Sequence, residues 1–259
     1  MGRFEHLEFD GLGRKASASP AITQASDESR HLHRAWEAAG KGHFEPALRE
    51  FSKVLEFNPM NTEAWSGQIR MLIELGEYHE ANLWADKGLE KLPSAAHLLA
   101  AKAVALARLG DTSGALTYSD NAMAVPGESA YVWLSRGDVF LSTKEPRFTD
   151  CFDRAFQLSP ADWIVPWFAA RICAFYKKFA LALKHAQKAL ELDTTRAVIW
   201  AQLGHCQMAL SLAHLAEKSF HRARELDPQC PAAFEGTKQL AQMGLFGRFW
   251  LNMRRLFSS

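Results

Sequence analysis

Apolar residues recur three or four apart along most of this chain, the spacing of one face of a helix. From Ala197 to Leu210 they are Trp200, Leu203, Gly204 and Gln207; from Ala213 to Glu225 they are Ala216, Phe220 and Ala223. Two consecutive amphipathic helices are therefore predicted. Asp227-Pro228 closes the second, because a residue before proline avoids the helical region.

This two-helix phrase repeats. Gly42-His43-Phe44-Glu45-Pro46-Ala47 returns as Gly76-Glu77-Tyr78-His79-Glu80-Ala81 and as Gly110-Asp111-Thr112-Ser113-Gly114-Ala115, with glycines and alanines stepping by 34. Ala182 and Ala216 are again 34 apart, as are Pro59 and Pro93, while Pro160 and Pro228 are 68 apart. A third ladder runs Trp65, Leu99, Trp133, Pro166, Trp200 in steps of 34, 34, 33 and 34. The short step locates a one-residue deletion between Gly137 and Phe148. It is expected in the turn Thr143-Lys144-Glu145-Pro146, which has no glycine and in which Pro146 can open the next helix. The small residues serve a steric purpose, since Gly204 and Ala216 mark the close approach of two helices. Such a hairpin cannot bury its own apolar face, so copies must stack.

The pattern Trp200-x-x-Leu203-Gly204, then Ala216, Phe220, Ala223 and Pro228, resembles the tetratricopeptide repeat. The resemblance implies an all-α, right-handed solenoid of antiparallel helix pairs. Six units cover 203 of the 259 residues: 28–61, 62–95, 96–129, 130–162, 163–196 and 197–230. Phe148 stands where the family has alanine, which predicts a wider helix crossing in the fourth unit, and Ile69 replaces the small residue of the second. Trp65, Trp133 and Trp200 hold the signature position and are expected in the core. Residues 1–27 read as a flexible, Gly/Ser/Ala-rich arm, with Ser26 or Asp27 able to cap the first helix. Residues 231–259 read as a capping helix followed by a basic amphipathic tail.

Composition narrows the function classes. Hydrophobic residues at 48% can build a continuous core. Lys+Arg 30 against Asp+Glu 29 leaves a formal charge of +1, without the basic excess of a nucleic-acid binder. Cys151, Cys173, Cys206 and Cys230 form no CxxC pair and no disulfide framework, so a reducing, intracellular setting is expected. No apolar run reaches the roughly 18 residues of a membrane span, and the first residues resemble no signal peptide. Met1-Gly2 is no myristoylation site, since His6 sits where Ser or Thr is needed. Catalytic fingerprints (HExxH, P-loop, GxSxG, dinucleotide glycines) are missing. His205-Cys206 and the pair His31 and His33 project in divergent directions, so neither metal nor other cofactor is expected, nor enzymatic activity.

What the resemblance implies instead is binding of a protein or peptide along the concave surface formed by the first helix of each unit. The corresponding positions carry Trp36, Arg70, Ile73, Arg108, Tyr131, Leu134, Asp138, Trp167, Phe168, Arg171, Phe175 and His205, with Val104, Leu141, Met208, Glu63 and Glu74 among them. Trp167, Phe168 and Arg171 have the composition of a binding hot spot, with packing between units as the alternative. Some members of the family hold an acidic chaperone C-terminus in a Lys/Asn/Asn/Lys/Arg clamp; here those positions carry Leu32, Trp36, Gly67, His97 and Ala101. An apolar helix or extended segment is the better expectation, within a multiprotein assembly for which this chain is a scaffold or adaptor.

The tail is the second signal. Leu245, Phe249, Met253 and Leu256 share a helical face, beside Phe246, Trp250 and Phe257. Lys238, Arg248, Arg254 and Arg255 are the only charges after Glu235. Three readings stand: capping of the last unit, contact with a partner or a second copy (giving a weak homo-oligomer rather than a monomer), and weak anchoring of a peripheral assembly factor at an anionic membrane.

Overall fold

The computed structural model describes residues 21–242, with side chains from residue 27 onward. Expectations for the sequence outside that span, including those for tail residues Arg248, Phe249, Trp250, Met253, Arg254, Arg255 and Phe257, lie beyond the described residues. Within it the secondary structure is helical, without strands. The chain divides into two compact units, residues 1–160 and 161–259.

The first unit contains four antiparallel helix pairs: α1 (Ala21–Gly40) with α2 (Phe44–Phe57), α3 (Thr62–Glu74) with α4 (Tyr78–Lys91), α5 (Ala96–Leu109) with α6 (Thr112–Ala124), and α7 (Ala130–Ser142) with α8 (Phe148–Leu158). The second contains α9 (Ile164–Phe175) with α10 (Phe179–Leu192), then α11 (Ala197–Ala209) with α12 (Ala213–Leu226), and helical backbone over residues 231–242, here α13. Helix α1 starts at Ala21, earlier than the expected arm boundary at residue 27. Residues 21–29 contain neither glycine nor proline, so nothing in them stops the helix.

Local chemistry sets the boundaries. Asn61 and Asp111 cap α3 and α6, their side chains accepting from the Ala64 and Gly114 amides at 2.8 and 2.9 Å. The residues before Pro59, Pro93, Pro160 and Pro228 are pushed out of the helical region, with φ from −134 to −145° at Asn58, Leu92, Ser159 and Asp227.

The turn inside each pair has one geometry. A residue in the left-handed region recurs at Gly42, Gly76, Gly110, Lys144, Lys177 and Ser211. The next amide then bonds back five residues, as in Glu77 to Leu72 at 2.9 Å, Glu145 to Phe140 at 2.8 Å and Leu212 to Gln207 at 2.8 Å. This is the Schellman closure. Because Lys144 is still 34 residues after Gly110 while Phe148 is 33 after Ala115, the deletion narrows to residues 145–147.

Packing between helices rests on aromatic rings laid against glycines. A Cβ on Gly67 would meet Phe51 at 2.5 Å, one on Gly137 would meet Phe152 at 2.4 Å, and those on Gly204 and Gly236 would meet Phe220 at 2.6 and 2.3 Å. The ladder alanines Ala47, Ala81, Ala115, Ala182 and Ala216 are fully buried. Trp65 is buried against Trp84. Trp133 and Trp200 are half-buried rather than fully so.

His185 on α10 is buried, and burial, helped by Lys184 and Lys188, pushes its pKa down to about 4. The unfolded chain, with an ordinary histidine, takes up this proton first as pH falls. Stability is therefore present above about pH 6.5 and is lost between there and pH 4. Acid denaturation should show this group costing about 2 kcal/mol between pH 7 and pH 5, and His185→Gln should flatten that part of the stability profile.

A second expectation concerns the turns. Lys144, Lys177 and Ser211 bear a Cβ at φ of 60, 59 and 62°. Changing each to glycine relieves this strain, which outweighs the entropy glycine adds to the unfolded chain. Each change should raise stability by about 0.5–1 kcal/mol in urea titrations, whereas Gly76→Ala should lower it.

Candidate functional site

The first helices of the pairs carry the residues expected to face a partner, and the two units treat them differently. In the first unit, Trp36 on α1 is half-buried, its ring edge-on to Phe51 at 5.1 Å and its Nε1 donating to Glu63 Oε1 of α3 at 2.6 Å. The Arg70 guanidinium of α3 lies over the Tyr131 ring of α7 at 5.1 Å. His97 of α5 lies 5.2 Å from the same ring, and its Nε2 shares a hydrogen bond with Ser129 Oγ at 2.8 Å.

Arg108 of α5 donates from Nη2 to Asp138 Oδ2 of α7 at 2.5 Å, and both side chains are almost fully enclosed. Burial raises the pKa of the Tyr78 and Tyr131 phenols; the nearby guanidiniums of Arg108 and Arg70, respectively, oppose the shift. The structure thus brings Arg70, Arg108, Tyr131 and Asp138 into one network with Tyr78 and Glu74. Removing one partner of a buried ion pair leaves an uncompensated charge, which makes Arg108 and Asp138 structural.

Several expected contact residues are not at the surface. Ile73, Leu134 and Asp138 are buried at 9%, 2% and 2% exposure. Val104 and Leu141 are buried with them. The apolar groove inferred from the sequence is, in this unit, mostly core.

The larger correction falls in the second unit. Trp167 and Phe168 are each 1% exposed, their rings 4.7 Å apart. Trp167 Nε1 donates to the Val198 carbonyl of α11 at 3.3 Å, while Trp163 packs at 5.8 Å and the Arg171 guanidinium covers the ring at 5.3 Å. A hot spot needs accessible aromatics, so this trio is core with an arginine lid. Phe175 at the end of α9 is exposed, its ring edge-on to Tyr176. His205 is occupied elsewhere: its Nε2 donates to the Ala232 carbonyl of α13 at 3.0 Å and its ring meets Phe220 at 5.0 Å. Burial holds its pKa below the usual value, so it anchors α13 as a neutral imidazole.

The network residues Tyr78 and Ser129 were not singled out by the sequence. Their partners lie 30 to 32 residues away, so the only available signal was the repeat period itself.

Reactive chemistry is sparse. All four cysteines are free and buried, and burial pushes the Cys151 and Cys206 thiols up to about 11. Among the described residues, no group of three His, Cys, Asp or Glu side chains is placed to hold a metal ion. No described helix is long and apolar enough to cross a membrane.

No family model matches the chain. In sequence it is 25% identical over 189 residues to the BBSome complex member BBS4 of Bos taurus, covering 72% of this chain and 36% of that protein. The chain thus spans about a third of the curated relative it matches. A solved structure of an IFIT1 monomeric mutant with Gppp-AAAA has a TM-score of 0.56 at 15% identity, covering 83% of this chain and 59% of that one. The APC/C hetero-tetramer Cut9-Hcn1 has a TM-score of 0.50 at 17% identity, covering 85% and 45% respectively. The chain has the tetratricopeptide-repeat fold.

In a tetratricopeptide-repeat protein, a buried first-helix aromatic supports the stack. Trp167→Ala should therefore cost about 3–5 kcal/mol. Thermal or urea unfolding should show that loss whether or not a partner is present. Unchanged melting would return Trp167 to the binding surface.

Proposed function

We propose that this chain is a non-catalytic interaction module that holds a segment of a partner protein within a multiprotein assembly. The observation that carries the reading is the row of half-exposed aromatic and charged side chains on the first helices of the first unit: Trp36, Arg70 and Tyr131, flanked by exposed Glu63 and half-buried Glu74. Aromatics with one face covered, next to arginine, make efficient anchors because little side-chain entropy remains to be lost on binding. The relative BBS4 is named as a complex member, which supports an assembly role.

The burial of Ile73, Val104, Leu134 and Leu141 changes the ligand expected from the sequence. A wholly apolar helix would find few apolar contacts here. An amphipathic or extended segment suits the row better, placing an apolar side chain beside Trp36 and polar groups opposite Arg70 and Glu63. The non-catalytic reading is supported by the chemistry at hand: protonated, enclosed thiols and no assembled metal-ligand group among the described residues.

Affinity capture from native lysate with quantitative mass spectrometry tests this. Trp36→Ala combined with Arg70→Glu should remove specific partners by tenfold or more, a loss on the order of 1.4 kcal/mol or greater. The double variant must first be shown to keep its helicity and melting transition. Partners retained at wild-type levels would rule out this face as the binding surface.

A further inference from the structure

The 34-residue register continues past the sixth pair into α13. Counting with the single deletion, Phe234 of α13 corresponds to Trp65 of α3, Thr237 to Gln68, Leu240 to Met71, and Ala241 to Leu72. In α3 these four are 1%, 0%, 0% and 0% exposed, because α4 and neighbouring helices cover them. In α13 the same positions are open: Phe234 is 64% exposed, Ala241 is exposed, and Thr237 and Leu240 are half-covered. Helix α13 is therefore a first helix of a seventh pair whose second-helix side is uncovered among the described residues.

A groove of about 1070 Å³ lies along that side, entirely within the second unit. Its floor and walls include Phe220, Glu217 and His221 of α12 with Thr237, Leu240 and Ala241 of α13. The register indicates what belongs there. In the sixth pair, Gln207 of α11, one period before Ala241, accepts a hydrogen bond from Ser219 of its own second helix at 2.8 Å. Shifted by 34 residues, the groove is the seat of the missing second helix.

We propose that residues 243–259 of this chain occupy the groove as that helix. They follow directly after α13, and 17 residues are enough for the three-residue turn 210–212 and the 14-residue helix α12 that complete the sixth pair. Their pattern fits. Phe249, Met253 and Leu256 have the same spacing of four and three as Phe148, Phe152 and Ala155 of α8. Phe249 follows Ala216 by 33 residues, the same shortened step by which Phe148 follows Ala115. The apolar row would cover Phe234 and Leu240, removing an exposed patch at the end of the stack. Arg248, Arg254 and Arg255 would lie on the outer face, near the Glu217 side of the groove. This assignment is independent of the partner surface proposed on the first unit.

Paired cysteines in the full chain test it. Glu217→Cys with Met253→Cys places one thiol in the groove and one on the tail, and Glu191→Cys with Met253→Cys is the control on exposed α10. The native thiols are buried and should not compete. Under mild oxidation the groove pair should close within the monomer roughly tenfold faster than the control, reflecting its higher effective concentration. Equal rates overturn the proposal. So does linkage mainly between two molecules, which would mean that a second copy fills the groove. A second measurement leaves the groove untouched: Phe249→Asp with Met253→Asp should speed amide hydrogen exchange in residues 231–242 roughly tenfold while α9 keeps its protection. Unchanged exchange, or flotation of the wild-type chain with anionic vesicles, overturns the assignment.

Discussion

Everything else in this structure depends on how closely one helix can approach the next, and that distance is set by what faces a single position of each second helix. The position holds Phe51, Ala85, Ser119, Phe152, Ala186 and Phe220 in turn. Where it is phenylalanine, a glycine on a facing first helix receives the ring: Gly67 for Phe51, Gly137 for Phe152, and both Gly204 and Gly236 for Phe220. Where it is alanine at residue 85, volume is restored from the other side, by Trp65 and Leu98 closing on Gly88 at 3.2 and 3.3 Å from where its Cβ would lie. Ring and glycine are exchanged between partners while the summed volume is kept, as close packing requires. Helices held at this spacing leave no room for variation in the turns, which is why one left-handed residue recurs at the same place in every pair.

The same constraint governs the surface available for binding. First helices sandwiched between second helices bury most of their circumference; in α3 nearly every residue from Ala64 to Ile73 is enclosed. Only a narrow strip remains, and in the first unit it is filled by polar and aromatic groups that satisfy one another. The Arg108–Asp138 pair illustrates the balance. Its enclosure adds little net stability, because desolvation offsets attraction, yet it fixes α5 and α7 in one relative register. A partner meeting this strip finds preorganised side chains, Trp36 held by Glu63 and Tyr131 held under Arg70, so less ordering remains to be done on binding.

The repeat was legible in sequence because the requirement for small residues recurs with the period, and glycine, alanine and proline cannot be substituted there without penalty. Gly204, Ala216 and Pro228 are examples, and the short step near Pro146 was visible for the same reason. The fate of Trp167 and Phe168 was not legible. A helical wheel places them on one strip but does not say how much of that strip neighbouring helices cover, and here Val198, Trp163 and Arg171 close over the ring. His205 was hidden differently. It occupies a first-helix position where the last pair meets α13, so a residue that could face a partner elsewhere in the stack becomes an anchor for the cap.

Departures from the repeat carry the individuality of the chain. His31 stands at the signature position of the first pair, bonded through Nδ1 to Glu50 at 2.7 Å and stacked on Phe57 at 5.7 Å, so a polar ring does there what tryptophan does at residue 65. Three residues further along each first helix, the register reads Arg34, Gln68, Lys102 and Arg136 in the first unit but Ala169 and Leu203 in the second. Lys102 pairs with Asp86, and Arg136 with Asp120 at 2.8 Å, each acid sixteen residues earlier on the preceding second helix. Leu203 instead joins an apolar cluster with Ala170 and Ala186. One structural position is thus held by charge on one side of residue 160 and by hydrophobic contact on the other. The boundary between the two compact units coincides with a change in the chemistry that joins each second helix to the next first helix.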